Sequence, residues 1–216
     1  GGHLGWPEGM RRMSRTAILG GSFNPIHIGH LLMAQSVLDA GSVGQVVFMP
    51  ANLPPHKPHA NLASNEDRLA MVKLAIAGNP AFTWSDQELV RGGVSYAVDT
   101  LLAWHELRPG DKPFFIIGMD SLLELHTWHR VAELLPLCDF ITLQRPGYDQ
   151  LPSPEALKLP PPWPERLLAN GIRGRSCDVS STEIRKRVAQ KRQIRYLTPD
   201  SVVRYIESRG LYRAGE

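Results

Sequence analysis

The sequence predicts an α/β protein: a doubly wound, mostly parallel sheet with helices on both faces and a short helical segment at the C-terminal end. Three observations predict it. Short apolar runs alternate with helix-length segments from residue 15 onward, the signature of βαβ units. The 216 residues, 43% of them hydrophobic, are enough to bury a substantial core. The longest stretch free of Asp, Glu, Lys and Arg runs from Thr16 to Leu38, and Asn24, Pro25, His27, His30 and Gln35 interrupt it, so no membrane span is expected.

The elements follow in order. Residues 1–14 are glycine-rich and aperiodic, carry two possible start sites (Met10 and Met13), and are expected to be a disordered or non-native tail without the apolar core of a signal peptide. Residues 16–20 read as a buried strand, 28–40 as a helix and 45–50 as the next strand. The apolar spacing over 62–78 predicts a helix ended by Gly78-Asn-Pro80. A short strand is expected at 82–84 and a helix over 95–107, stopped by Pro109-Gly110. Residues 113–117 and 138–143 are strong strands. Residues 146–164, rich in proline, are expected to be a surface loop or linker, and helical patterns close the chain at 181–189 and 199–208. Right-handed crossovers make such an arrangement Rossmann-like, a single domain over 15–216 with 165–216 as its basic helical end.

Charge is distributed unevenly. From Glu165 onward there are 12 Lys and Arg against 6 Asp and Glu, whereas the rest of the chain is net acidic. Such a segment is either a solvated helical face or the seat of an anionic partner. Few aromatics interleave with it (Tyr196, Tyr205, Tyr212), so nucleic acid is not expected. Cys138 and Cys177 show no paired spacing and fit free thiols in a reducing cytoplasm, Cys138 as a packed, inert one.

Ligands of an open parallel sheet bind beyond the carboxyl ends of the strands, which directs attention to the first strand-to-helix turn. There stands Gly20-Gly21-Ser22-Phe23-Asn24-Pro25-Ile26-His27-Ile28-Gly29-His30. It is neither a GxGxxG fingerprint nor a P-loop, and Asn24 replaces the glycine that a nucleophile elbow requires. The glycine pair lets backbone approach a ligand. His27 and His30, three apart at a helix start, share one face, with Gly29 leaving room above the backbone. Helix-start amides and two imidazoles form a donor cluster suited to phosphate. Two other readings compete: histidines that merely cap or pack the helix, and a zinc site, which lacks a third ligand nearby.

A second motif is Val179-Ser180-Ser181-Thr182-Glu183-Ile184-Arg185. Ser180 and Glu183 make a capping box. Ser181 and Thr182 fall in the first turn, with Arg185 on the face of Ser181. Amides, hydroxyls and a guanidinium converge there as an anion site, although any well-capped basic helix has the same look.

Together the two motifs closely resemble those of the HxGH nucleotidyltransferase superfamily. The tetrad His27-Ile-Gly-His30 is shared with class I aminoacyl-tRNA synthetases, but the chain has no KMSKS-like loop or tRNA-binding domain. Further segments resemble the bacterial nicotinate-nucleotide adenylyltransferases: Pro54-Pro55-His56-Lys57, Ser95-Tyr96, Gly118-Met-Asp120-Ser-Leu, Thr127-Trp128, Arg145-Pro146-Gly147-Tyr148 and the ending from Tyr205 to Arg213. The resemblance covers about residues 16–213. It implies transfer of an adenylyl group from ATP to nicotinate mononucleotide, with Mg²⁺ bound to ATP. It implies that His27 and His30 donate to the reacting phosphates, and that Ser180, Ser181, Thr182 and Arg185 hold the leaving pyrophosphate. Gly20, Gly21, Ser22 and Phe23 would lie under the nucleotide, and Gly118 and Asp120 would contact adenosine. Trp128 would stack on the pyridine ring beside Ser95 and Tyr96, while His56, Lys57 and Arg145 add positive charge. Ala97 stands where many members have threonine, and Asn24 where Asp is commoner. Other acceptors of the adenylyl group, nicotinamide mononucleotide or phosphopantetheine, remain open, as does a nucleotide-binding regulatory module without turnover. His105, His126 and His129 receive no chemistry.

Overall fold

The computed structural model describes residues 15–144 and 150–214. The expected N-terminal tail and the segment Arg145-Pro-Gly-Tyr148 lie outside the described residues. The chain runs β1 (Arg15–Gly21), α1 (Ile28–Asp39), β2 (Val43–Pro50), α2 (Asn65–Ile76), β3 (Phe82–Trp84), α3 (Gln87–Arg91) and α4 (Ala97–Leu107). It continues through β4 (Phe114–Gly118), α5 (Met119–Glu124), α6 (Val131–Leu134), β5 (Asp139–Gln144), α7 (Trp163–Ala169), β6 (Gly171–Arg173), α8 (Ser181–Ala189) and α9 (Asp200–Arg209). The six strands form one sheet in the order β3-β2-β1-β4-β5-β6, and every neighbouring pair is parallel. That is the doubly wound topology the sequence predicts. Strand order reverses between β1 and β4, so the loops after these two strands diverge and open a crevice.

Side-chain alternation along the strands builds two cores, one on each face of the sheet. Ala17, Leu19, Val46, Phe48, Phe114 and Ile116 point to one face, where they meet Ala34 and Val37 of α1, Met71 and Val72 of α2, Ile184 of α8 and Val202 of α9. Ile18, Val47, Met49, Ile117 and Phe140 point to the other and meet Val98, Leu101 and Trp104 of α4, Leu134 of α6 and Leu167 of α7. Each of these strands is buried on both sides, which is why it reads as a continuous apolar run rather than an alternating one. Cys138 sits in the second core, and burial pushes its thiol far above the ordinary range, so it is inert. Among the described residues no helix is long and apolar enough to cross a membrane.

Several expected boundaries shift. The helix expected over 62–78 begins later, at Asn65, because the Ser64 hydroxyl accepts from the Asp67 amide (3.1 Å) as its cap. The helix expected from 95 starts at Ala97 with Tyr96 as N-cap. The proline-rich stretch is more than a linker: a 3-10 turn at Pro154–Leu157 buries Leu157 completely in the second core, and Trp163-Pro164 opens α7. Proline is tolerated there because the first helical turn has no partner for an N–H. Strand β6 (Gly-Ile-Arg) was not expected; three residues at a sheet edge, pairing with Thr142–Gln144, are too short to show a period.

Candidate active site

The crevice at the reversal point is a cleft of about 790 Å³. Gly20, Gly21, Ser22, Phe23, His27 and His30 line it from the β1–α1 turn, Pro54 to Lys57 from the loop after β2, Ser95 to Ala97 from the start of α4, Gly118 and Trp128 from beyond β4, and Ser180 to Thr182 with Arg185 from α8. The two motifs, some 150 residues apart in sequence, meet across it.

The histidines occupy the start of α1 in a specific way. His27 is the N-cap, and its Nδ1 accepts from the Gly29 amide (3.0 Å); His30 turns back so that its Nδ1 accepts from the His27 amide (3.1 Å). An N–H can be accepted only by a nitrogen with a free lone pair, so both rings carry their proton on Nε2. The rings stack at 3.8 Å. Burial is the main cause that lowers the His27 pKa to about 4, with Lys57 adding to it. Burial, His27 and Lys57 hold His30 well below the usual range. Both imidazoles are therefore neutral near pH 7 and serve as hydrogen-bond donors rather than cations. Capping and ligand binding, posed as alternatives by the sequence, use opposite nitrogens of the same ring and are compatible. Gly29 is required sterically: a Cβ there would lie 2.7 Å from His27 Cε1. At Gly20 and Gly21 a Cβ would make only ordinary contacts with protein, so these bare residues leave space on the cleft side. Phe23 is packed into the core, 4.9 Å from the His30 ring.

On the opposite wall Ser180 caps α8, accepting from the Glu183 amide (3.1 Å), as the capping box predicts. The Ser181 hydroxyl donates to Pro25 O (2.8 Å). Arg185 donates from Nη1 to Asn24 O (2.9 Å) and from Nη2 to Thr182 Oγ1 (3.3 Å). These bonds fasten the second motif to the β1–α1 turn. With neutral imidazoles, the positive potential comes from Arg185, from Lys57, and from the amide ends of α1 and α8. Lys57 is exposed on its proline-rich loop with His56, but its charge reaches both imidazoles.

Arg68 was not singled out by the sequence, yet it is 0% exposed. It donates to Ser22 O (2.8 Å), Ala51 O (2.6 Å), Ala63 O (3.0 Å), Asn52 O (3.3 Å) and Asn65 Oδ1 (2.6 Å). This one guanidinium pins the loops after β1 and β2 beneath the cleft. The only sequence signal was a charged residue on the buried face of α2.

The other end of the cleft is aromatic. Trp128 stands edge-on to Phe115 (6.2 Å) and Phe140 (6.3 Å). Tyr96 stacks on His129 at 4.0 Å, which brings His129 to the cleft wall although the sequence assigned it nothing. The Ser95 hydroxyl accepts from the Asn52 amide (2.9 Å) and so holds the strand-like segment before α4 in place. Glu88 also reaches the cleft wall, 6% exposed, accepting from the Thr100 hydroxyl (2.7 Å), and burial pushes its carboxyl up to about 7. Asp120 is exposed in the first turn of α5, while its neighbours Gly118, Ser121 and Glu124 line the cleft. Arg145 lies outside the described residues. Among the described residues no three His, Cys, Asp or Glu side chains are grouped to hold a metal ion.

Comparison with known proteins agrees in sequence and in fold. The family model described as cytidylyltransferase-like matches residues 18–187. A protein of Trichlorobacter lovleyi named "Probable nicotinate-nucleotide adenylyltransferase" is 45% identical, over 92% of this chain and 99% of its own. One of the same name from Symbiobacterium thermophilum is 44% identical over 94% and 98%. The solved structure of Plasmodium falciparum nicotinic acid mononucleotide adenylyltransferase complexed with NaAD superposes with a TM-score of 0.72 over 92% of this chain and 97% of that one, at 19% identity, and shares its fold.

Proposed function

The chain belongs to the cytidylyltransferase-like family and, within it, to the nicotinate-nucleotide adenylyltransferases, and from that membership we propose how its cleft works. The enzyme transfers the adenylyl group of ATP to nicotinate mononucleotide, giving deamido-NAD and pyrophosphate in NAD biosynthesis. An oxygen of the 5′-phosphate attacks the α-phosphorus of ATP, and the bond from that phosphorus to the β-bridging oxygen breaks as pyrophosphate leaves. The attacking phosphate is already ionised, so no general base is needed. Catalysis becomes alignment and stabilisation of charge on the phosphates.

His27 and His30 donate from Nε2–H to the α- and β-phosphate oxygens. The observation that carries this assignment is the pair of occupied Nδ1 atoms, which leaves both Nε2 protons for a ligand in the cleft. Arg185, Ser180, Ser181 and Thr182 hold the departing pyrophosphate, with Lys57 and His56 closing over it. Gly20, Gly21, Ser22 and Phe23 form the floor under the nucleotide, and Gly118 and Asp120 belong to the adenosine side. Trp128 stacks on the pyridine ring. The amides at the start of α4, beginning at Ala97, receive its carboxylate beside Ser95 and Tyr96, as a helix N-terminus favours. Mg²⁺ would come with ATP, held by phosphates and water beside Arg185 and the hydroxyls of α8, and would supply charge that offsets that of the phosphates. That mode suits a cleft whose own donors are imidazole, guanidinium, hydroxyl and amide groups. The test is direct: mixed with ATP, Mg²⁺ and nicotinate mononucleotide, the chain should release pyrophosphate and deamido-NAD in equal amounts. Absence of both would contradict the proposal.

A further inference from the structure

We propose that Tyr212, at the far C-terminal end of the described chain, is a positioning residue for Arg185, acting through Asn24. The inference rests on the proposed role of Arg185 at the pyrophosphate side of the cleft. The Tyr212 hydroxyl donates to Asn24 Oδ1 (2.7 Å), which also accepts from the Ala63 amide (3.0 Å), while Asn24 Nδ2 donates to Asn61 O (2.9 Å). Three residues from two segments, the β2–α2 loop and the turn after α9, thus fix one buried side chain, and the backbone oxygen of the same residue receives the Arg185 guanidinium (2.9 Å).

The geometry that delivers Tyr212 is built into the end of α9. Gly210 takes a left-handed conformation (φ 65°), and the Leu211 amide donates to Ile206 O (3.1 Å), so the chain reverses sharply after the helix. The helix itself is locked to α2, since Tyr205 and Arg209 both donate to Asp67 Oδ1 (2.7 and 3.1 Å). Tyr212 returns to the β1–α1 turn beneath the cleft, within electrostatic reach of Arg185 and Arg68. Burial pushes its phenol well above the ordinary range, so it remains a donor at any working pH. As an amide, Asn24 donates to Asn61 O while accepting from Tyr212 and Ala63, a combination that an ionised aspartate does not offer.

The experiment is a double-mutant cycle of Tyr212→Phe with Arg185→Lys, read as kcat/KM for ATP and as the dissociation constant of inorganic pyrophosphate by calorimetry. Tyr212→Phe removes one oxygen and keeps the ring packing. Alone it should weaken both quantities about tenfold, the scale of a lost hydrogen bond in a charged network, and leave the KM for nicotinate mononucleotide within twofold. In the Arg185→Lys background the same change should cost less than twofold, because the guanidinium fork it aligns is gone. An equal loss in both backgrounds, as a purely structural role demands, would overturn the proposal, and so would no loss in the otherwise native enzyme. Failure of the wild-type chain to turn over nicotinate mononucleotide would refute the proposed function instead, and the pyrophosphate binding cycle would still decide the role of Tyr212.

Discussion

At the scale of residues, the proposed mechanism has His27 and His30 divide their two nitrogens between the fold and the substrate. Nδ1 of each accepts a backbone N–H of the helix start, which orients the ring and fixes its tautomer. Replacing His30 by Ala removes one donor to the transition state and should lower kcat by about 10² or more, at roughly 3 kcal/mol per donor. ATP affinity should change much less, and a variant that kept native turnover would remove His30 from the mechanism. The spacing of the two histidines, and the glycine between them, were legible in the sequence because both act within one helical turn. Their tautomer was not, since it depends on which nitrogen meets the backbone. The roles of Arg68 and Tyr212 were not legible for a related reason: Arg68 reaches back to Ser22 and Tyr212 to Asn24, 46 and 188 positions away, and only the fold brings these partners together.

At the scale of elements, short α3 carries a buried charge against α4. Glu88 is held by the Thr100 hydroxyl, with Arg91 at 4.0 Å. Its carboxyl, about 4.5 when unfolded, titrates near 7 in the fold because burial disfavours the anion. Stability from this group is full below pH 4.5 and is lost as pH rises through 7. Glu88→Gln keeps an acceptor for Thr100 and removes the charge. Its stability relative to wild type should rise by about 2 kcal/mol more at pH 8 than at pH 5, measured by urea unfolding. A difference independent of pH would mean that Glu88 is ionised at both. Periodicity found the long elements, β1, α1, α4 and β5, to within a few residues. It missed the helices α3, α5, α6 and α7, whose four to seven residues fall short of two helical turns, and β6, whose three residues hold less than two strand periods.

At the scale of the molecule, the parallel sheet does one thing for function: the reversal between β1 and β4 opens a cleft with the two motifs at one end and aromatic side chains at the other. The first of these ends was readable as two motifs, although only the fold joins them by the bonds from Ser181 to Pro25 and from Arg185 to Asn24. In the proposed function the aromatic end decides which nucleotide is used. Nicotinate and nicotinamide mononucleotides differ only in a carboxylate against an amide. In the proposed arrangement, backbone N–H groups at the start of α4 would satisfy the carboxylate oxygens and would meet the amide NH₂ donor to donor, at about 1–3 kcal/mol for each mismatch. Ala97 supplies no hydroxyl, which places the discrimination toward the lower part of that range. The most direct test is kcat/KM for the two nucleotides with saturating ATP, in the wild type and in Trp128→Ala. The account predicts an acid preference on the order of 10² to 10⁴, largely retained in Trp128→Ala, because stacking acts on the ring and not on its substituent. Equal use of the two nucleotides by the wild-type enzyme would contradict it.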